Sequence, residues 1–200
     1  MNLWYCRRWM VSMLGVFLLT GCLGSEVLPE DSFASVFVSY IPIDEDDTID
    51  SSEWILSLEG VGSQAALEDA NLTLVDMLHY AAQDEYLARA EYALIMETFG
   101  NINPYVNIEK SEQQHLTLLR TLFNLYTQTF PVDPSEGPAV VPLSLLASAE
   151  IGVGAEVLNI AMYERFMSYS ITENAYKVFH ALKTASEHHL ISFQRQVDKY

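Results

Sequence analysis

Cysteine and positive charge are both scarce in this sequence. Its 200 residues include two cysteines, and ten lysines and arginines stand against twenty-seven aspartates and glutamates, a formal net charge of −17. Phosphate groups repel so anionic a chain, and we therefore expect no nucleic-acid partner. Glycine-rich phosphate loops, nucleophile elbows and thiol motifs are missing as well. Half of the residues are apolar, which is enough for one folded domain with a sizeable core.

The first residues have the pattern of an export signal. Arg7 and Arg8 precede an apolar run over residues 9–19, which is too short to span a bilayer. The run ends in Leu-Thr-Gly-Cys at residues 19–22, which resembles a bacterial lipobox. The resemblance implies that residues 1–21 are a lipoprotein signal peptide, and that Cys22 is lipidated and anchors the exported protein to a membrane of the bacterial cell envelope. The alternatives are an ordinary signal peptide or a buried helix.

Cleavage before Cys22 would change the composition of the mature protein. Cys6 would be lost, so no intramolecular disulfide and no cysteine-ligated metal would remain. Eight basic residues would then face twenty-seven acidic ones, a formal charge of −19. Such a surface attracts cations and repels an anionic membrane, as suits a body held off the bilayer by a tether.

Residues 22–71 are predicted to form an acidic tether with minor structure. Proline, glycine and an acidic run at residues 44–50 interrupt any regular period. The run partly matches a calcium-binding loop, but Pro42 stands at the first ligand position and Asp47 where the turn requires glycine. A solvated acidic linker is the favoured interpretation.

Residues 72–200 carry four long apolar segments of helical period. They begin near Thr73, after Pro104, near Ser144 and at Ser170, where Ser170 and Glu173 are spaced as a capping box. Short connections make the first and second helices, and the third and fourth, antiparallel neighbours. Residues 129–143 form a proline-rich connection that can extend to about 50 Å, the length of a helix or more. The predicted fold is all-α, a ferritin-like four-helix bundle in which two antiparallel hairpins are joined by a long crossover.

The second predicted helix contains Glu112-Gln113-Gln114-His115. A three-residue step places Glu112 and His115 on one helix face, as in metal sites of helical bundles. The first and third helices each carry a glutamate with a tyrosine seven residues later, namely Glu85 with Tyr92 and Glu156 with Tyr163. A glutamate buried there needs a partner or a metal, and the tyrosine can donate a hydrogen bond around it.

The spacing repeats between the two halves of the chain. Residues 186–189 stand where a second Glu-x-x-His is expected, and His189 corresponds to His115, whereas Ser186 replaces the glutamate. The predicted metal ligands are therefore Glu85, Glu112, His115, Glu156 and His189, one carboxylate short of four glutamates and two histidines.

These motifs resemble a known family. Residues 84–92, 107–115, 152–160 and 186–193 are similar to the ferritin-like family called domain of unknown function 2202. The resemblance covers most of the mature chain and implies a ferritin-like bundle without an established reaction. The family commonly has aspartate where this chain has Asn159, and a basic residue and asparagine in place of Glu187 and His188. Asn159 and Ser186 are thus predicted to lie around the ligands, and a locally rotated fourth helix would let Glu187 or His188 supply the missing one.

Carboxylate and imidazole ligands without thiolate suit iron, manganese or zinc. Iron is the predicted metal, as a di-iron centre, while manganese, zinc or a single ion are left open. The predicted function is a membrane-anchored metal protein with ferrous oxidation or peroxide or dioxygen reduction as its reaction. The alternative is a metal-free ferritin-like scaffold that serves as a structural or interaction module in the cell envelope.

Overall fold

The computed structural model describes residues 61–135 and 142–200. In this part of the chain the regular structure is entirely helical, which confirms the all-α prediction. The predicted signal peptide, Cys22 and the acidic run at 44–50 lie outside the described residues.

Five helices follow one another along the chain. They are α1 Gly62–Glu68, α2 Leu74–Phe99, α3 Tyr105–Leu125, α4 Leu145–Met167 and α5 Glu173–Val197. The four long helices correspond to the four predicted segments, and α1 is a short addition within the segment that was predicted to be a tether.

Side-chain caps fix three of the helix starts. Thr73 and Asp76 form a reciprocal capping box at the start of α2, and Ser144 accepts a hydrogen bond from the Ala147 amide at the start of α4. The predicted cap of α5 is wrong: Thr172, not Ser170, accepts the Ala175 amide. Both residues have the right chemistry, and Thr172 directly precedes the first helical residue.

The long helices pack mainly in two pairs, α2 with α3 and α4 with α5, and α1 lies against α2 and α4. Two apolar clusters hold them together. One includes Leu78, Phe123, Phe166 and Phe179, and the other is built around Tyr92, Ile95, Tyr105, Ile108 and Phe193. On each long helix the predicted ligands fall between the residues of these clusters. The ligands therefore form a polar layer between two apolar ones, from which water is largely excluded.

A close approach of α4 to α5 lies beside this polar layer. A Cβ atom at Gly152 would meet the Phe193 ring at 2.9 Å. Glycine is needed here because a side chain would push the two helices apart. The contact sets the distance between α4, which carries Glu156, and α5, which carries His189.

Helix α4 is also long and apolar enough, with a mean hydropathy of 1.4, to meet simple criteria for a membrane span. No other helix among the described residues meets them. Core helices pass the same test, and α4 places Glu156 and Asn159 in the buried polar layer. One face of α4 is therefore packed inside the bundle.

Candidate metal centre

All five predicted ligands meet in the polar layer. Helix α2 contributes Glu85, α3 contributes Glu112 and His115, α4 contributes Glu156, and α5 contributes His189. Each residue is buried. Their donor atoms form two groups that could each hold a metal ion, and Glu112 belongs to both.

The first group consists of Glu85, Glu112 and His115. The Nδ1 atom of His115 lies 2.9 Å from Oε2 of Glu85 and 2.7 Å from Oε2 of Glu112. On the other side of the ring, Nε2 lies 3.1 Å from the hydroxyl of Ser111, one turn earlier on α3. Ser111 therefore orients the ring so that Nδ1 faces the two carboxylates.

The second group consists of Glu112, Glu156 and His189. The Nδ1 atom of His189 lies 3.1 Å from Oε1 of Glu112 and 3.5 Å from Oε1 of Glu156. These are ion-pair distances, but the nitrogen is buried and no contact satisfies its hydrogen-bond geometry. A buried ring nitrogen that faces two carboxylates without a directed hydrogen bond has the arrangement of a metal ligand.

Glu112 links the two groups through its two oxygens. Oε2 faces His115 and Oε1 faces His189. The two imidazole rings stack with their centroids 5.6 Å apart. A carboxylate with one oxygen toward each of two histidines from different helix pairs has the geometry of a bridging ligand.

Both predicted tyrosines donate hydrogen bonds to this layer, each to the glutamate of another helix. The hydroxyl of Tyr92 on α2 donates to Oε1 of Glu156 at 3.0 Å. The hydroxyl of Tyr163 on α4 donates to Oε1 of Glu85 at 2.5 Å. The seven-residue spacing correctly predicted that each tyrosine lies in the polar layer. Each tyrosine, however, donates its hydrogen bond to the glutamate of the other helix and not to the glutamate seven residues before it. The crossed pairs tie α2 to α4 and orient both carboxylates.

Asn159 and Ser186 also lie beside the ligands. The hydroxyl of Ser186 donates to Oδ1 of Asn159 at 2.6 Å, and the Asn159 amide donates to Oδ2 of Asp84 at 2.7 Å. The residue at the position of the missing carboxylate is thus hydrogen-bonded to its neighbours. Glu187 pairs with Lys183 at 2.6 Å and His188 is exposed. Helix α5 is not rotated, so neither residue replaces the missing ligand.

Sequence reasoning missed Asp84 and Ser111. Asp84 lies on one face of α2 with Ala88 and Glu91, which follow it at helical spacing. This spacing was the sequence pattern from which the position of Asp84 beside the ligands could have been predicted. Its Oδ1 accepts the backbone amide of Ser63 at 2.6 Å. That contact comes from α1, whose docking the sequence did not indicate.

The electrostatics of the first group follow from burial and proximity. Burial disfavours the charged form of Glu85 and outweighs the attraction of His115, so the pKa of Glu85 is raised to about 8. Burial alone would lower the pKa of His115, but the Glu85 and Glu112 carboxylates raise it to about 9. Burial opposes ionisation of Glu112 too, yet the two imidazoles hold its pKa well below the usual range.

The second group behaves similarly. Burial raises the pKa of Glu156, although His189 opposes the shift. Burial would lower the pKa of His189, but Glu112 and Glu156 raise it well above its ordinary value. Without a metal, protons therefore take the place of positive charge in this layer.

The donor spacing is compatible with metal coordination. Ligand atoms about 2.1 Å from an octahedral ion are about 3 Å apart. The nitrogen–oxygen distances of 2.7–3.5 Å in the two groups include this value. Hydrogen-bonded ion pairs have similar distances, but the undirected contacts of His189 and the mixed carboxylate and imidazole donors favour a metal.

Comparisons with known proteins bear on the fold alone. No family model matches this chain, and no curated protein matches it. The chain is similar to the crystal structure of a hypothetical protein from Methanococcus jannaschii, with a TM-score of 0.57 and 20% sequence identity. The match covers 73% of this chain and 86% of the other. This similarity carries no information on ligand or reaction.

Proposed function

We propose that this protein binds two metal ions in the polar layer, one at each of the two groups of donors. The observation that carries the proposal is the position of Glu112, whose two oxygens face histidines from different helix pairs. A glutamate that serves only in an ion pair needs a single histidine partner. The two-sided contact is what a bridging carboxylate requires.

The composition of the layer supports a metal over a permanent set of ion pairs. Three glutamates and two histidines share a region in which each is buried. Desolvating them costs several kcal/mol per charge unless they are well paired, and His189 Nδ1 lacks a directed partner. Divalent cations would balance the carboxylates and use this nitrogen as a ligand.

We further propose that the four long helices form a ferritin-like bundle. Two helix pairs separated by a long proline-rich connection support this topology. So do the ligands, which come one or two from each helix around a common centre. The relationship to the domain of unknown function 2202 family stays a prediction.

Iron is the proposed metal because mixed glutamate and histidine sites with two ions in helical bundles are commonly iron or manganese sites. Bound iron would supply one-electron chemistry with dioxygen or peroxide, and ferrous oxidation or peroxide reduction is the proposed activity. The residues of this chain would hold the ions, orient the carboxylates through Tyr92 and Tyr163, and keep bulk water away.

Metal analysis tests this function directly. The purified protein is titrated anaerobically with ferrous iron and, separately, with Mn²⁺, and bound metal is counted after desalting. We expect about two ions per chain, the number of donor groups that share Glu112. A protein that retains less than about a tenth of an equivalent, under conditions that load a known di-iron bundle, would contradict the proposal.

Metal affinity should rise with pH. Metal ligation requires neutral imidazole and ionised carboxylate, whereas the pKa of His115 is raised to about 9 and that of Glu85 to about 8. Binding at pH 7 must therefore release protons. We expect affinity for Mn²⁺ to rise about tenfold or more per pH unit between pH 6 and 8. Calorimetry in buffers of different ionisation enthalpy measures the released protons, and a pH-independent affinity would contradict the site.

The same shifts predict the opposite trend for metal-free stability. Each of these groups has a higher pKa in the folded state than in the unfolded state. The folded state therefore keeps a proton that the unfolded state has lost, at Glu85 up to about pH 8 and at His115 up to about pH 9. The contribution of both groups to the free energy of unfolding therefore falls as pH rises through this range. The stabilisation by added metal should grow over the same interval.

A metal-free scaffold is the competing function, and Ser186 favours it. The position of a fourth carboxylate holds a hydroxyl that donates to Asn159, and His115 has hydrogen-bonding partners without a metal. A scaffold predicts the same fold and no retained metal, so the titration separates the two functions.

We also propose that the protein is exported and anchored by lipid at Cys22. Replacing Cys22 with serine should move the protein from the membrane fraction to the aqueous fraction and remove labelling by a radioactive fatty acid, because serine offers no thiol for acylation. Replacing Cys6 with serine is the matched control and should change neither. Membrane association that survives in Cys22→Ser would contradict the anchor.

A further inference from the structure

The two donor groups differ in their access to solvent. In the first group, the side chains of His115 and Glu85 are 3% and 2% exposed. In the second group, the side chain of His189 is 10% exposed. A small opening also lies beside the layer, next to Glu156 of the second group.

That opening is a small pocket between α2, α3 and α4. Its lining consists of Asp84, Ala88, Tyr92, Glu112, Ala155, Glu156 and Asn159. Glu112 and Glu156 belong to the second donor group, whereas Glu85 and His115 of the first group do not line it. The pocket therefore reaches the shared Glu112 and Glu156 of the second group, and none of the donors that belong to the first group alone. Its volume of about 10 Å³ is at the lower limit for a single water molecule.

The walls of the pocket are fixed by hydrogen bonds. Asp84 accepts the Ser63 amide on one oxygen and the Asn159 amide on the other. The Asn159 carbonyl accepts the Ser186 hydroxyl. A Cβ atom at Gly62 would lie 2.7 Å from the Asp84 carboxylate, so a glycine there permits the close approach of α1. The serine at the place of the missing ligand thus helps to hold one wall of the pocket.

Ala88 and Ala155 are the small residues of the lining. Longer side chains at either position would fill the space in front of Glu112 and Glu156. The size of these two side chains therefore limits which molecules can enter the pocket.

We infer that this pocket is the route by which a small molecule of the class of dioxygen or hydrogen peroxide reaches the metal position formed by Glu112, Glu156 and His189. The first position, formed by Glu85, Glu112 and His115, is closed. Ala88 and Ala155 set the size limit, and the hydrogen bonds of Asp84 and Asn159 hold the wall beside them. This inference depends on the proposed metal binding. It adds which of the two metal positions reacts and which class of molecule reacts there.

Water access to bound Mn²⁺ tests the route without any enzymatic assay. The protein is loaded with Mn²⁺, and its effect on the relaxation of water protons is measured for the parent, Ala155→Leu, Ala88→Leu and the control Ala161→Leu. Ala161 lies on α4 and does not line the pocket. In both pocket variants the relaxation effect should fall by about half or more with the number of bound ions unchanged, because leucine fills the space that a water needs.

Nitric oxide tests the route on the ferrous protein. Nitric oxide is an uncharged diatomic and should give its characteristic electron paramagnetic resonance signal in the parent and in Ala161→Leu. The signal should be lost in Ala155→Leu and Ala88→Leu.

The outcomes distinguish the proposed metal binding from the proposed route. A parent protein that retains no Mn²⁺ or iron would overturn the proposed function. Normal metal content with unchanged water relaxation and nitric oxide binding in both pocket variants would overturn the route alone. Circular dichroism identifies a variant that fails to fold, and the other pocket variant then decides.

Discussion

Replacing Glu112 with glutamine should abolish metal binding at both positions at once. Glutamine keeps the size of the side chain but removes the charge and one of the two oxygens that face His115 and His189. Loss of an outer partner of a metal ligand costs roughly 10–100-fold in affinity. Loss of the shared ligand should cost more than that at each position. Metal content after desalting should fall from about two ions per chain to none.

The matched control is Glu109→Gln, one turn earlier on the same helix. Glu109 is outside both donor groups, so this variant should keep the parent's metal content. If Glu112→Gln loses only one of two ions, Glu112 is a terminal ligand and the bridging assignment is wrong. If it loses neither, Glu112 is not a metal ligand and the proposed site is wrong.

Glu112→Gln should also change the metal-free protein. The Glu112 carboxylate raises the pKa of both histidines. Without it, the pKa of each imidazole should fall, and nuclear magnetic resonance titration of the histidine ring protons measures the shift. This readout requires no metal, so it tests the geometry of the layer even if the protein binds none.

The helices were largely predictable because their signals are local. Apolar residues of helical period, Thr73 with Asp76, and Pro104 are read within one or two turns of each helix end. The cap of α5 was placed at Ser170 instead of Thr172 because both residues can cap a helix. Only the position of the first helical residue decides between them.

The five ligands were predictable for a related reason. The steps from Glu112 to His115 and from each glutamate to its tyrosine follow from helix geometry alone. The crossed pairing of Tyr92 with Glu156 and of Tyr163 with Glu85 depends on the rotation and height of α2 relative to α4. No local sequence pattern encodes how two helices are placed relative to each other. The contact of α1 with Asp84 could not be predicted for the same reason.

Replacing Ser186 with glutamate should make the stability of the protein depend on metal. Ser186 is 2% exposed and lies beside Asn159 in the layer that already holds three glutamates. A fourth buried carboxylate without a new partner costs about 3 kcal/mol or more. It also displaces the hydrogen bond to Asn159. We expect the melting temperature of the metal-free variant to fall by roughly 10 °C.

Metal should reverse this loss, because the new carboxylate completes the set of four glutamates and two histidines. A ligand that binds only the folded state stabilises it in proportion to the logarithm of its concentration over the dissociation constant. A tighter site therefore gives a larger rise in melting temperature at the same Mn²⁺ concentration, and the rise in Ser186→Glu should exceed that of the parent.

Ser148→Glu is the control variant. It shows whether Mn²⁺ stabilises the protein only when the new buried glutamate is at position 186. Ser148 is fully buried on α4 and, like Ser186, donates to a backbone carbonyl one turn earlier. It lies about two helical turns from Glu156. This variant should be destabilised without metal and should gain no more from Mn²⁺ than the parent does. Equal rescue of both variants, or of neither, would show that position 186 does not face the metal. The ligand set would then be complete with five residues.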